Sequence, residues 1–86
     1  MIDTHPRAIK TKHIGPANYR GSRVKATADT GSVTVSWDYA LGVEENHTRA
    51  AIALASKYGW QTDWWIGGVL GDVYVFVEIP QYYRST

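Results

Sequence analysis

The residues that carry acid–base or metal chemistry are few and far apart in this sequence. No pair among His5, His13 and His47 has a helical metal-binding spacing such as H-x-x-x-H. Glu44 and Glu45 are adjacent, so on a helix their side chains diverge by about 100° and form a poor acid–base pair. Cysteine is absent, which excludes disulfides and thiolate nucleophiles. We therefore expect no enzymatic activity, no metal and no cofactor, and we expect His13 and His47 to be surface residues.

Basic residues are concentrated at the start of the chain. Residues 1–25 hold six basic residues against one acidic residue, whereas residues 26–86 hold three against seven, so the net charge of +1 combines a positive and a negative part. Such polarity orients the encounter with a partner that has a strong electrostatic field. A nucleic acid and an acidic protein surface both have such a field.

The length and the apolar content of the chain indicate one small domain. The chain has 86 residues, 44% of them hydrophobic, and we expect a single domain over residues 1–86 with flexible tails at 1–7 and 81–86. No apolar run approaches the ~20 residues that cross a bilayer, and the N-terminus lacks the apolar core of a secretory signal. We expect a soluble, cytoplasmic protein that does not contact membranes.

Alternation of apolar and polar residues predicts three strands in the first half of the chain. The first covers residues 8–14 and the second covers residues 23–28, and a turn-rich loop at 15–22 joins them. Residues 29–32 turn the chain into a third strand over 33–38. In that strand the apolar side chains, which are Val33, Val35 and Trp37, all face one side.

The period then changes to that of an amphipathic helix over residues 44–58. Its apolar face is predicted to contain Ala51, Leu54, Ala55 and Tyr58, with Ile52 beside them. Gly59 stands where a left-handed C-terminal cap belongs.

Two further strands, over 64–70 and 73–79, flank Gly71-Asp72, which suits a type II′ hairpin turn. The element order β-β-β-α-β-β predicts the fold class α+β, with a single antiparallel β-sheet and one helix packed on one face.

One helix covers only one face of such a sheet, so the other face is expected to be open. If the helix covers the aliphatic side, alternation places these side chains on the open side: Lys10, Lys12, Arg23, Lys25, Thr34, Ser36, Tyr74 and Phe76. Cations that follow phosphates and rings that stack on bases are combined in single-strand nucleic-acid binders. The alternative is that the lysines only solvate the face and that Tyr74 and Phe76 pack under the tail or against a second copy.

The loop between the first two strands carries Tyr19 and Arg20 at its tip. It is longer than the two to five residues of a minimal hairpin, which favours a role in partner contact. A ring beside a guanidinium suits either a base or a protein pocket. The alternative is that Tyr19 folds back on the sheet edge and Arg20 pairs with an acid such as Asp29.

Three of the four tryptophans lie close together at 60, 64 and 65. Trp64 and Trp65 are adjacent, so in a regular strand only one of them enters the core. The other either covers the end of the helix or is an exposed anchor for a partner.

The segment IKTKHIGPANYRGSRVKA (9–26), followed by VTV (33–35) and the helix between residues 46 and 60, resembles small uncharacterised proteins of bacterial plasmids and phages. This resemblance implies a genomic setting in which small proteins without catalytic residues often act by binding, either to nucleic acid or to a host defence complex, as anti-CRISPR proteins do.

We therefore expect a non-catalytic inhibitor that docks on a host protein or a nucleoprotein complex, and as the alternative a nucleic-acid-binding protein. A homodimer through the aromatic sheet face is compatible with both functions. The candidate partner-binding residues are Lys10, Lys12, Tyr19, Arg20, Arg23, Lys25, Tyr74 and Phe76.

Overall fold

Five strands and one helix make up the part of the chain that the computed structural model describes, which is residues 7–17, 21–61 and 65–79. The elements are β1 (Ala8–Ile14), β2 (Arg23–Ala28), β3 (Gly31–Ser36), α1 (Val43–Lys57), β4 (Trp65–Leu70) and β5 (Val73–Glu78). The strands pair antiparallel throughout, in the order β3-β2-β1-β5-β4. The predicted α+β fold, with one antiparallel sheet and a helix on one face, is confirmed.

The turn between β2 and β3 is shorter than the sequence pattern indicated. Ala28 pairs directly with Gly31, so the loop contains only two residues and β3 begins two residues earlier than predicted. Beyond the end of β3 the backbone N–H of Trp37 still donates to the Ser22 carbonyl at 2.9 Å, so the chain follows β2 up to that point. At the other hairpin, Gly71 has φ 64 and Asp72 does not have a positive φ, as the predicted type II′ turn requires.

The helix α1 packs across β1, β2 and β3. Its buried side chains are mostly small, which lets the helix approach the sheet closely: Asn46, His47, Ala50, Ala51, Leu54 and Ala55. They lie against Ile9, Val24 and Ala26 of the sheet, each of which is buried. Ile52 is 45% exposed, because it lies about 100° around the helix from Ala51. Ile52 therefore lies beside the packed face, as predicted, and is not part of it.

Both ends of α1 are held by hydrogen bonds. At the start, the buried amide of Asn46 accepts the Asp38 N–H at 2.8 Å and donates to the Asp38 and Gly42 carbonyls at 2.9 and 3.0 Å. At the end, Gly59 has φ 70 and the Trp60 N–H donates to the Ala55 carbonyl at 2.8 Å. This is a Schellman motif, so the predicted left-handed cap at Gly59 is confirmed.

Arg7, the last residue of the predicted N-terminal tail, is bonded to the end of β5. Its carbonyl accepts the Glu78 N–H at 2.9 Å, and its guanidinium forms an ion pair with the Glu78 carboxylate at 2.8 Å. The same guanidinium lies 5.0 Å from the centroid of the Trp60 ring. The rest of the predicted N-terminal tail and all of the predicted C-terminal tail lie outside the described residues. So does Trp64, whereas Trp65 is partly buried and packs against the core.

Candidate functional site

Four cations meet on the face of the sheet opposite α1, which we call the open face. Lys12 lies directly opposite Lys25, and Lys10 and Arg23 are two residues away from them along β1 and β2. Directly opposed residues have Cβ atoms about 5 Å apart, and alternate residues along a strand are about 7 Å apart. We call Lys10, Lys12, Arg23 and Lys25 the cationic quartet. Strand alternation in the sequence predicted that these four side chains share one face. The position of Lys12 opposite Lys25 depends on how β1 pairs with β2.

No acidic residue in the described strands shares the open face with the quartet. Glu78 is the only acid in these strands, and it has the parity of Tyr74 and Phe76, which face α1. The Arg7–Glu78 pair is the only ion pair in the described ranges, so no quartet member forms one with a residue of these ranges. Like charges directly opposed on a sheet are destabilising, and such local conflicts are typical of functional sites.

The quartet lies between an apolar and a hydroxyl-bearing part of the open face. On one side Lys10 pairs with Val75 and Lys12 pairs with Val73, and β4 continues this side with the 75% exposed Leu70. On the other side Lys25 pairs with Thr34, and Arg23 and Thr27 pair with two serines of β3, Ser36 and Ser32. The open face therefore changes from aliphatic to cationic to hydroxyl-bearing across the sheet.

The predicted placement of Tyr74 and Phe76 on the open face was wrong. They pair with Thr11 and Ile9, which are buried beneath α1, and Phe76 is only 9% exposed. The physical reason is that β5 is apolar at both parities, so its alternation carries no information about which side is covered. Pairing with β1 decides the matter and places Val73, Val75 and Val77 on the open face instead. The aromatic part of the predicted binding surface is therefore not formed by these two rings.

Tyr19 and Arg20 lie outside the described residues. Their predicted projection from the β1–β2 loop, and the alternative in which they fold back, both stay predictions. The same holds for partner contact by any member of the quartet.

His47 was expected at the surface and is instead 2% exposed. A hydrogen bond of 2.7 Å joins its Nδ1 to Oγ1 of the buried Thr11, and its ring stacks on that of Tyr74 with 4.2 Å between centroids. Its position three and four residues before Ala50 and Ala51, on the packed face of α1, is the sequence signal that pointed to burial.

Burial, followed by the charge of His13, lowers the pKa of His47 from its ordinary value of 6.5. The centroid of the exposed His13 ring lies 4.8 Å from the centroid of the Trp37 ring. The Trp37 and His47 rings are 6.1 Å apart between centroids, in an edge-to-face arrangement. A histidine with a lowered pKa is neutral at pH 7, so His47 connects α1, β1 and β5 without adding charge to the interior.

In residues 7–17, 21–61 and 65–79, no three histidine, aspartate or glutamate side chains are close enough to hold a metal ion. No helix in these ranges is long and apolar enough to cross a membrane. Comparison with protein-family models, with curated proteins and with solved structures gives no match.

Proposed function

We propose that this protein is a non-catalytic binding protein that docks by its open face on an acidic protein surface. By docking it inhibits a host defence nucleoprotein, in the way that anti-CRISPR proteins act. The observation that carries the proposal is the cationic quartet, four cations that form no ion pair with any residue the structure describes and that lie beside a row of valines. The sequence resemblance to plasmid and phage proteins supports the choice of setting.

The valines favour a protein partner over a bare nucleic acid. Val73 and Val75 adjoin the quartet, and interfaces between proteins combine an apolar centre with charged residues at the rim. Bases stack on aromatic rings, and the described strands place no aromatic residue on the open face. Valine does not provide such a platform.

A nucleic acid is the second candidate, because the quartet alone suits phosphates. Binding of that kind would depend on backbone contacts only, so it would be insensitive to sequence and would weaken steeply with salt. The two candidates therefore differ in whether the valines contribute to affinity.

The first experiment compares three baits in affinity capture from a bacterial lysate, with and without nuclease. The baits are the wild type, Lys12→Glu in the quartet and Lys57→Glu at the end of α1, and each variant changes the net charge by the same amount. We expect a protein that survives nuclease treatment on the wild type and Lys57→Glu and is lost from Lys12→Glu. Lys12→Glu also places opposite charges at positions 12 and 25, so we expect it not to weaken the fold. Recovery of no specific protein, or of the same proteins on all baits, contradicts the proposal.

The second experiment separates the candidates with Val75→Thr, which keeps the shape of the side chain and replaces one methyl group with a hydroxyl. Docking on a protein predicts a weaker complex with the captured partner and no retention of labelled oligonucleotides at low salt. Binding to nucleic acid predicts that labelled oligonucleotides are retained and that Val75→Thr leaves this retention unchanged. It also predicts that Lys12→Glu reduces the slope of log K against log salt concentration by about one phosphate contact.

The inhibitory step is tested in cells. Expression of the wild type should restore transformation by a plasmid that an active CRISPR system targets, and expression of Lys12→Glu should not. Unchanged interference in the presence of the wild type would limit the protein to binding without inhibition.

A further inference from the structure

The two edge strands of the sheet differ in how their outer backbone groups are used. Along the β3 edge, side chains from α1 and its C-cap donate to three carbonyl oxygens: Arg49 to Ser36, Lys57 to Ser32 at 3.5 Å, and Tyr58 to Thr30 at 2.8 Å. These side chains lie where an added strand would have to pair. The β3 edge is therefore closed to another strand.

No residue of the described ranges covers the β4 edge in this way. Its sequence, WIGGVL, contains no charged residue and no proline, although lysine and proline are the residues that usually protect an edge strand. Val69 is 58% exposed and Leu70 is 75% exposed. None of the hydrogen bonds within the described ranges reaches the outer side of β4. An uncharged, uncovered edge of this kind is a template for a further strand.

The direction of the free backbone groups follows from the neighbouring pairs. Glu78 donates its N–H to Arg7, so it turns its backbone toward β1, and by alternation Val73, Val75 and Val77 turn theirs toward β4. Their partners there are Leu70, Gly68 and Ile66. The N–H and C=O groups of the remaining three β4 residues, Trp65, Gly67 and Val69, therefore point away from the sheet.

We infer that β4 pairs with β4 of a second copy of this chain, in an antiparallel arrangement with twofold symmetry. Such pairing is self-complementary, because each copy offers the same alternating donors and acceptors to the other. Gly67 and Gly68, at the centre of the strand, add no side-chain bulk near the symmetry axis. The result is one continuous sheet of ten strands.

Charge favours a second copy as the occupant. β4 has no charge, and the nearest strand of the quartet, β1, is two strands away. In the dimer the two copies of β1 are five strand spacings apart, which is about 24 Å at about 4.8 Å per spacing. This distance exceeds the screening length of roughly 8 Å at physiological salt, so the two quartets do not oppose association.

The dimer adds to the proposed function without depending on it. A twofold axis perpendicular to the sheet puts both helices on one side and both quartets on the other. The valine rows of the two copies then form one apolar band between two cationic patches. Such a surface binds an acidic partner at two places, which raises its avidity.

The experiment measures the mass of the purified chain by multi-angle light scattering over a range of concentrations. We expect twice 9.6 kDa for the wild type. Val69→Pro removes an outward N–H from β4 and should give the mass of one chain. Thr34→Pro is the matched change at the centre of the β3 edge, and it should remain dimeric. Circular dichroism establishes that each variant is folded.

Val69→Lys provides a second route if Val69→Pro does not fold. It keeps the N–H but places a cation at the edge, and we expect it to raise the dissociation constant of the dimer by roughly 100-fold. A wild type that stays at 9.6 kDa at high concentration overturns the inference. So does a dimer that survives both changes at Val69, or one that Thr34→Pro dissociates equally well.

Discussion

The half of the sheet formed by β1, β2 and β3 differs from the half formed by β4 and β5 in what covers it. The first half lies under α1 and contains the fully buried Val24 and Ala26. The second half lies beside the helix, meets it through rings such as Phe76, and exposes Val69 and Leu70. We expect the covered half to provide most of the stability and the uncovered half to provide surface for association.

One short helix therefore divides a five-stranded sheet into a covered and an uncovered half. Segments with few buried contacts open most easily, so β4 belongs to the least stable part of the fold. The cationic quartet lies on β1 and β2 in the covered half, and the helix packs on the other side of these strands. A rigid base under a binding surface reduces the entropy that binding costs.

We expect the largest effect on stability when a buried leucine and an exposed leucine are each truncated to alanine. Leu54→Ala removes a fully buried side chain from the sheet-facing side of α1, and we expect a loss of about 3 kcal/mol in the free energy of unfolding. Leu70→Ala on β4 should change it by less than about 0.5 kcal/mol, because that side chain is 75% exposed. Urea denaturation at a concentration where the chain is monomeric measures both. Equal losses would contradict the division into two halves.

A second pair of changes compares glycines in the two halves. Gly31 on β3 has φ 152, and a Cβ there would collide with the hydroxyl of Tyr58, which is held by its bond to Thr30. We expect Gly31→Ala to cost about 2 kcal/mol. Gly68→Ala on β4 meets no atom within 4 Å, so it should be neutral or stabilising by about 0.5 kcal/mol. Thermal unfolding compares the two, and a stable Gly31→Ala protein would show that Tyr58 does not restrict this position.

The pH dependence of stability tests the contact between the two halves at His47. Its pKa is lowered in the folded protein, so the unfolded chain binds the proton first as the pH falls. Stability is therefore complete well above pH 6.5 and decreases as the pH falls below 6.5 toward the lowered pKa. We expect a slope of up to about 1.4 kcal/mol per pH unit in that window. Denaturant series between pH 5 and 8 measure it.

Two variants serve as controls for this slope. His47→Gln should be less stable at pH 7 and should show a flatter profile. His13→Gln removes the second cause of the lowered pKa and should reduce the slope only in part. Identical profiles for the wild type and His47→Gln would place the titration elsewhere.

The smallest effect concerns the opposed lysines of the cationic quartet. Lys25→Thr removes the repulsion with Lys12, and we expect a gain of about 0.5 kcal/mol in stability at low salt that disappears at high salt. The same change should weaken binding to the partner. Stability that is independent of salt in the wild type, combined with unchanged binding in the variant, would mean that the two lysines do not interact.

Much of the fold could be predicted from the sequence, and the candidate site only in part. β2 and β3 have polar residues at one parity and apolar residues at the other, so their faces were predicted correctly. The faces of β5 were not, since valines and rings fill both parities. The basic residues of β1 and β2 were predicted to share a face, whereas the neighbouring valines were expected beneath the helix.

Local patterns in the sequence by themselves determined the elements of this protein. Gly59 ended the helix because its backbone accepts a left-handed conformation, and Gly71 permitted the tight turn between the last two strands. The alternation of Lys10 and Lys12 with apolar residues set the strand period of β1. Each of these signals acts over a few residues, so it can be read without knowledge of the rest of the chain.

Which of these elements meet depends on the tertiary structure. The opposition of Lys12 and Lys25, the bond between Thr11 and His47, and the exposure of β4 at an edge all depend on strand order and register. Register is selected by the total burial of many side chains against one helix, and no single segment contains that information. The helix covers three strands and not five, so no described element covers the β4 edge, and this property belongs to the assembled sheet alone.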